Sequence, residues 1–270
     1  MVFMYCREKC LSLEPMWRKE HARLEQYSRT ALLLNAHVVT FWNYRKRLIV
    51  NNYLSAEKDM LLTKIILSRH PKSADTLVHR RWLLKHSPRP DGWLEEELAL
   101  CTRLAEKQKC NYHAWSHRQW VINNTDDKKF NVGLWLTEFE TSEEWTKFHL
   151  SDHSGWHYRQ FLLLRLHSHL NQVEDELPRL QQLVDGAAVV DTTSQLYVCL
   201  LNEELRKNED LILVFPGHET LWYYRRFLIQ SIESFLPWME ESFIDRCLGT
   251  NDPDQQRSLE NHRRWLAGCI

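Results

Sequence analysis

Glycine and proline are scarce, seven and eight among 270 residues. A β sandwich or barrel needs frequent turn residues, so this scarcity disfavours an all-β chain. No apolar run is long enough for a transmembrane helix, which takes roughly 18 residues or more. An excess of one charge is also missing, with 35 basic residues against 36 acidic and a net charge of −1. A domain that holds nucleic acid by its phosphates usually carries a basic excess, so nucleic acid is not an expected partner. The seven cysteines are odd in number, widely spread, and include no C-x-x-C pair. They read as reduced thiols of a cytoplasmic protein rather than as a disulfide framework.

Targeting signals are absent in the same way. The start, Met1 to Arg7, has no basic lead and no small-residue cleavage site, so no secretory leader is expected. The tail Ala267-Gly268-Cys269-Ile270 is not a prenylation box, because its cysteine stands second from the end. Asn123-Asn124-Thr125 is a glycosylation sequon in form only, without secretion to give it meaning. No G-x-G-x-x-G, phosphate-binding loop or nucleophile elbow occurs.

What is present is tryptophan, twelve in all, and most of it repeats. Aligned on one arginine, the copies are Phe41-Trp42-Asn43-Tyr44-Arg45, Thr76-Leu77-Val78-His79-Arg80, Ala114-Trp115-Ser116-His117-Arg118, Gly155-Trp156-His157-Tyr158-Arg159 and Leu221-Trp222-Tyr223-Tyr224-Arg225. A weaker sixth copy is Leu259-Glu260-Asn261-His262-Arg263. Tyr or His precedes the arginine in all six, and the arginines are 35, 38, 41, 66 and 38 residues apart. Trp42, Trp115, Trp156 and Trp222 fill one slot; Trp82, Trp120 and Trp265 fill another.

The first-slot Trp and the arginine are three apart, which places them on one face of a helix. A strand would send them to opposite faces. The stretches between copies, Ala56 to Ser68 and Trp93 to Ala105, also show helical spacing of apolar residues. Turns are signalled at Pro71, 88–92, Asn123 to Asp126 and Pro216-Gly217. Pro71 and Pro216 hold the same register, where a helix is expected to begin. Each period therefore holds two helices, and such pairs bury their faces only by stacking. The expectation is an all-α solenoid of antiparallel helix hairpins over residues 1–270, one domain without a Gly/Ser linker. The motifs lie near 35–49, 71–84, 109–122, 150–163, 216–229 and 254–267. The long interval holds an enlarged or degenerate unit at 172–214, with Pro178 starting or breaking a helix.

The repeated arginines, 45, 80, 118, 159, 225 and 263, read as stacking and hydrogen-bonding clamps between helices rather than a binding row. Buried, each needs a carboxylate or a carbonyl, which sequence alone cannot pair. His113 and His117, and His153 and His157, have zinc-ligand spacing on a helix. His117 fills the Tyr/His slot, however, and no H-E-x-x-H pattern occurs, so no metal is expected on this chain. A concave interaction face for a protein partner is the reading that pattern alone supports.

The Trp-to-Arg motif resembles the repeat of protein prenyltransferase α subunits. Asn111-Tyr112-His113-Ala114-Trp115-Ser116-His117-Arg118-Gln119-Trp120 carries the likeness most specifically, and Asn35 to Trp42 is similar to the family's first repeat. The copy Pro216 to Arg226 most resembles a divergent branch of the family. The likeness covers roughly residues 30–268. It implies a right-handed superhelical crescent of hairpins clasping a β subunit, with zinc and geranylgeranyl diphosphate bound on that β subunit. For the divergent branch it implies pairing with the Rab geranylgeranyltransferase β subunit and transfer to C-terminal cysteines of acceptor proteins.

Residue by residue, the family's diphosphate-side lysine corresponds to Lys72, and its Asn, Tyr and His to Asn111, Tyr112 and His113. Lys72 and His113 are thus the expected catalytic contributors, and Lys72, Asn111, Tyr112 and His113 the expected diphosphate-binding set. The family pattern is broken at Ala74, where a tyrosine is expected, and at Cys110, where a lysine is expected, with Lys109 one residue off. Leu77 and Glu260 occupy Trp slots. The chain begins almost at the first repeat, so an amino-terminal extension is expected to be absent or short. The alternative is a repeat scaffold that kept the fold without the enzyme partnership.

Overall fold

The structure is a computed structural model that describes residues 1–125, 131–184, 192–232, 240–249 and 252–268. Asp126 of the third turn signal and Cys269 and Ile270 of the tail lie outside the described residues. Fourteen α-helices and a few short 3₁₀ turns make up the described secondary structure, with no strand among the described residues. Contacts group the chain into two compact units, Met1–Thr125 and Asp126–Ile270. That boundary falls within the turn signalled at Asn123 to Asp126.

The first unit holds α1 (Val2–Leu13), α2 (His21–Leu34), α3 (Val39–Val50), α4 (Ala56–Arg69), α5 (Ala74–His86), α6 (Trp93–Lys107) and α7 (Tyr112–Asn123). α1 lies on α2, and α2–α3, α4–α5 and α6–α7 are hairpins. The motif helices α3, α5 and α7 pack side by side. The second unit holds α8 (Val132–Phe148), α9 (His153–His167), α10 (Leu177–Gln181), α11 (Thr193–Val214), α12 (Glu219–Ser231), α13 (Glu241–Cys247) and α14 (Pro253–Ala267). There α8–α9 and α11–α12 are hairpins, and α12 packs between α9 and α14. The long interval between copies is filled by the short α10, which Pro178 opens, and by the 22-residue α11.

Side-chain caps start the helices where the local sequence offers them. Ser73, Asn131, Asp152, Thr192 and Asp252 each accept from a backbone N–H of the following first turn. Pro71 and Pro216 do not open helices. They stand in the preceding turns, and α5 and α12 begin at Ala74 and Glu219. Gly217 allows the second of these turns, since its φ is +85°.

The motif residues do the stacking. Trp42, Trp156 and Trp222 are buried to 4% exposure or less. The indole N–H of Trp42 donates to Ala36 O at 2.9 Å, and that of Trp156 to Leu150 O at 3.0 Å. Each thus pins the turn that leads into its own helix. Trp115 is buried in the same slot, and Leu77 fills it in the second copy. The second-slot aromatics lie against the Tyr or His of the motif, as in His79–Trp82, His117–Trp120 and Tyr158–Phe161.

Arg45, Arg80, Arg118, Arg159 and Arg225 are all buried, and their contacts repeat. The Nη1 of each donates to a carbonyl 20 residues earlier: Glu25, Met60, Leu98, Phe139 and Leu205. In the first four, a hydroxyl of Ser28, Thr63, Thr102 or Ser142 accepts from the same nitrogen. In Arg45, Arg80, Arg159 and Arg225 the remaining face of the guanidinium meets a buried carboxylate. Arg45 reaches Asp59, Arg80 reaches Glu97, Arg159 reaches Glu204 and Arg225 reaches Glu240.

Those carboxylates are shared. Asp59 also takes His79 Nε2 at 2.6 Å, and Glu97 takes His117 Nε2 at 2.9 Å. Glu204 accepts from Tyr224 Oη at 2.7 Å, and Glu240 takes His262 Nε2 at 3.3 Å. One carboxylate therefore joins the arginine of one copy to the Tyr or His of the next. Arg263 does not join this scheme and is exposed, as is Glu260 in its Trp slot. The carboxylates of Arg45, Arg80 and Arg159 stand on later helices, and that of Arg225, Glu240, stands at the start of α13.

Candidate functional site

The candidate residues gather at the amino-terminal ends of α5 and α7. Lys72 lies in the α4–α5 turn and is exposed; Pro71 before it is buried. Asn111 is fully buried and ties this turn to the next one. Its Nδ2 donates to Pro71 O at 2.9 Å and to Leu104 O at 3.1 Å. Its Oδ1 accepts from the N–H of Ala114 at 3.2 Å, capping α7. Every polar atom of this side chain is thus engaged within the fold. Asn111 acts on the edge by holding the two turns together.

That tie places Lys72 beside the start of α7, where Tyr112 is 59% exposed. His113 is half-buried, its ring 5.8 Å from that of Tyr112 and edge-on to it. The turn into α3 joins the same edge, because His37 Nδ1 lies 3.6 Å from the Asp75 carboxylate on α5. Three helix amino termini therefore share this rim. Their aligned dipoles favour an anion, and exposed Lys72 and half-buried His113 add to that, while the Asp75 carboxylate in the first turn of α5 opposes it. Two positions lack the expected groups. Ala74 offers no hydroxyl, and Cys110, exposed with φ of +51°, offers no cation. Lys109 is exposed one residue away.

The first histidine pair does not converge. His117 turns inward, with Nε2 on Glu97 and Nδ1 accepting from Arg81 Nε at 3.1 Å. Both ring nitrogens are occupied, so His113 and His117 do not share a direction. His153 lies 3.4 Å from Thr220 Oγ1. Among the described residues, no group of three or more His, Cys, Asp or Glu side chains is placed to hold a metal.

Burial and ion pairing set the ionisation of the clamp residues. Burial alone would raise Glu97, but hydrogen bonds from His117 and Arg80 outweigh it and hold the carboxyl at about 2. Asp59 and Glu240 are held down in the same way. His79, His117 and His262 shift downward, because burial outweighs the attraction of the partner carboxylate. Each imidazole is therefore neutral and donates from Nε2. The carboxylates are the residues that sequence reasoning missed. Their signal is the 20-residue step to the Tyr or His in Asp59/His79, Glu97/His117, Glu138/Tyr158 and Glu204/Tyr224.

Asn111→Ala removes a cap and strands two carbonyl contacts. The expected loss is about 2 kcal/mol, the upper end for a helix cap. Asn111→Asp keeps the capping oxygen and is expected to lose less. Thermal denaturation of both variants checks this, and an alanine variant as stable as the parent would remove Asn111 from its tying role.

The repeats are also visible by comparison. The family described as "Protein prenyltransferase alpha subunit repeat" matches residues 94–125, 135–166 and 201–232. These segments fall on the hairpins α6–α7, α8–α9 and α11–α12. The chain is 37% identical over 266 residues to "Protein prenyltransferase alpha subunit repeat-containing protein 1" of Homo sapiens, covering 87% of this chain and 65% of that protein. It is 34% identical over 255 residues to "Protein prenyltransferase alpha subunit repeat-containing protein 1-A" of Xenopus laevis, covering 83% and 59%. "Geranylgeranyl transferase type-2 subunit alpha" of Saccharomyces cerevisiae is 31% identical over 152 residues, covering 53% and 46%. The chain thus spans less than two thirds of the length of these relatives. Hairpins closed by buried Trp and Arg, with this similarity over most of the chain, show that it belongs to the protein prenyltransferase α-subunit repeat family.

Proposed function

We propose that this chain is the α subunit of a heterodimeric protein geranylgeranyltransferase. Its partner in this reading is the Rab geranylgeranyltransferase β subunit, and its acceptors are proteins ending in a prenylatable cysteine. The observation that carries the reading is the edge tied by Asn111, which sets Lys72 beside Tyr112 and His113 at three helix amino termini. Relatives named as geranylgeranyl transferase type-2 subunit alpha supply the substrate class.

In this reading zinc and geranylgeranyl diphosphate sit on the β subunit, where bound zinc would keep the acceptor cysteine as a thiolate. A carbon–sulfur bond forms as the carbon–oxygen bond to diphosphate breaks, and negative charge gathers on the leaving group. Lys72 would meet that charge with its ammonium, and His113 and Tyr112 with N–H and O–H donors. Groups fixed before the charge develops stabilise the transition state without reorganisation.

Co-expression with the β subunit followed by size-exclusion chromatography and a transfer assay tests the proposal. One peak containing both chains is expected, with an interface above the ~2,000 Å² of large permanent complexes. Transfer is expected from the pair and not from this chain alone. Two separate peaks, with the β subunit folded, would return the scaffold reading. In the assembled pair, Lys72→Ala is expected to slow single-turnover transfer roughly tenfold, less than the loss of a typical oxyanion donor. An unchanged rate would make Lys72 an ordinary surface lysine.

A further inference from the structure

A second feature of the first unit lies away from this edge. A groove of about 510 Å³ runs between α2 and α4 and is closed at one end by Tyr53 to Ser55. Its apolar lining comes from Ala22, Tyr53, Leu54, Leu61, Leu62 and Ile65. Leu61 and Ile65 stand one turn apart on α4 and are 59% and 46% exposed. They are the outward face of a helix whose other face, with Leu62, Ile66 and Leu67, is buried. Lys58 and Leu61 are both exposed and three residues apart, so a cation begins the apolar stripe.

Charge decides what the groove fits. Arg29 and Lys58 line it against one carboxylate, Glu25, while Arg45, also in the lining, is buried and already held by Asp59. Glu25 is already shared between Arg29 at 3.4 Å and Arg45 at 3.2 Å. Lys58 has no ion pair among the described residues, and Arg29 is half exposed. The rim is therefore cationic in a chain whose net charge is −1. The groove on the other side of α4, about 450 Å³, differs. It is lined by Glu57, Lys64 and Glu96, and Lys64 is already paired with Glu96. Of these two grooves, the α2–α4 one combines an open apolar floor with a cation, Lys58, that has no ion pair among the described residues.

We infer that the α2–α4 groove, floored by Leu61 and Ile65 and rimmed by Arg29 and Lys58, docks an acidic amphipathic segment of a partner protein. An amphipathic helix lays apolar residues at i, i+3 and i+4 into such a groove, and carboxylates on its flanks meet the rim. Lys58 lies 14 residues before Lys72 along α4 and its exit turn, about 20 Å at the helical rise, so this surface is separate from the diphosphate edge. The inference does not depend on which β subunit the chain joins.

Selection of a random peptide library on the full chain tests it, with counter-selection on Leu61→Asp and Lys58→Glu. Both positions are exposed, and circular dichroism checks that the variants keep their helices. The expected winners carry two or three apolar residues at helical spacing together with Asp or Glu. Fluorescence anisotropy of a winner is expected to show about tenfold weaker binding to each variant and weaker binding at high salt. Winners without carboxylates, winners that bind the variants equally, or no enrichment at all would overturn the inference. So would sedimentation with phosphatidylserine vesicles that is lost in Leu61→Asp, since it would assign the groove to a lipid surface.

Discussion

Arg80→Ala is expected to lower stability by about 3–5 kcal/mol, the cost of breaking a buried ion pair by removing one partner. Arg80 is fully buried, and its guanidinium is used on three sides. Nε lies 2.7 Å from Glu97 Oε2, Nη2 lies 2.5 Å from Oε1, and Nη1 donates to Met60 O at 3.1 Å and Thr63 Oγ1 at 2.7 Å. Alanine leaves Glu97 buried with the His117 contact as the remaining support described here, and leaves a hole where the fork was. Arg80→Lys keeps the charge but replaces a planar fork with a point, so it recovers only part of the loss. The double variant Arg80→Met with Glu97→Leu removes both charges and is expected to be more stable than Arg80→Ala. Guanidinium denaturation midpoints of the three variants decide it. A loss for Arg80→Ala within about 0.5 kcal/mol, as for a surface position, would end the clamp account.

Acid is expected to destabilise the protein well before its carboxylates titrate. His79, His117 and His262 have folded pKa values below the ordinary 6.5, with burial the leading cause. Unfolding then takes up protons once the pH falls under about 6.5. The stabilisation is complete above that value and is lost as the pH falls through the folded values. Three imidazoles that charge only on unfolding give a slope of up to about 4 kcal/mol per pH unit in that window. Glu97, held at about 2 against an ordinary 4.5, adds a second loss in the same direction below about 4.5. Denaturation midpoints measured at neutral pH and at mildly acidic pH should separate clearly. His117→Gln, which retains a donor toward Glu97, should flatten the slope by about a third. Midpoints independent of pH across this range would mean that the imidazoles are not held neutral.

The helices were legible because apolar spacing is local. Ala56 to Ser68 and Trp93 to Ala105 were expected as helices, and α4 and α6 cover them. The motif arginine was legible because it is one residue type in one slot. Its counter-charge was not, because Asp59 stands 14 residues after Arg45 while Glu204 stands 45 after Arg159. Hairpin length varies between those pairs, so the steadier spacing runs from the carboxylate forward to the Tyr or His, 20 residues in four pairs and 22 from Glu240 to His262. Asn111 shows the same limit at the candidate edge. Its place in the family motif suggested contact with diphosphate, whereas its bond to Pro71, 40 residues away, becomes visible only in three dimensions. Arg263 matched the motif in sequence, but the burial of an arginine is decided by a neighbouring helix and not by its own.

Because each shared carboxylate takes its arginine from one copy and its Tyr or His from the next, the hairpins meet through a common coupling. His79 and His117 fill the donor half of that coupling in the first unit, and Tyr224 fills it beside Glu204 in the second. Both residue types offer one proton at a similar reach, so the fitting is interchangeable. A gene segment cut just after one carboxylate and closed just after another would carry a complete set of fittings at both ends. Duplication or loss in that register keeps every buried charge answered, whereas cuts at unmatched positions of two copies strand a carboxylate or its donor. Arrays built this way can lengthen or shorten in whole steps, and the permitted crossover points are written in the positions of Asp59, Glu97, Glu204 and Glu240.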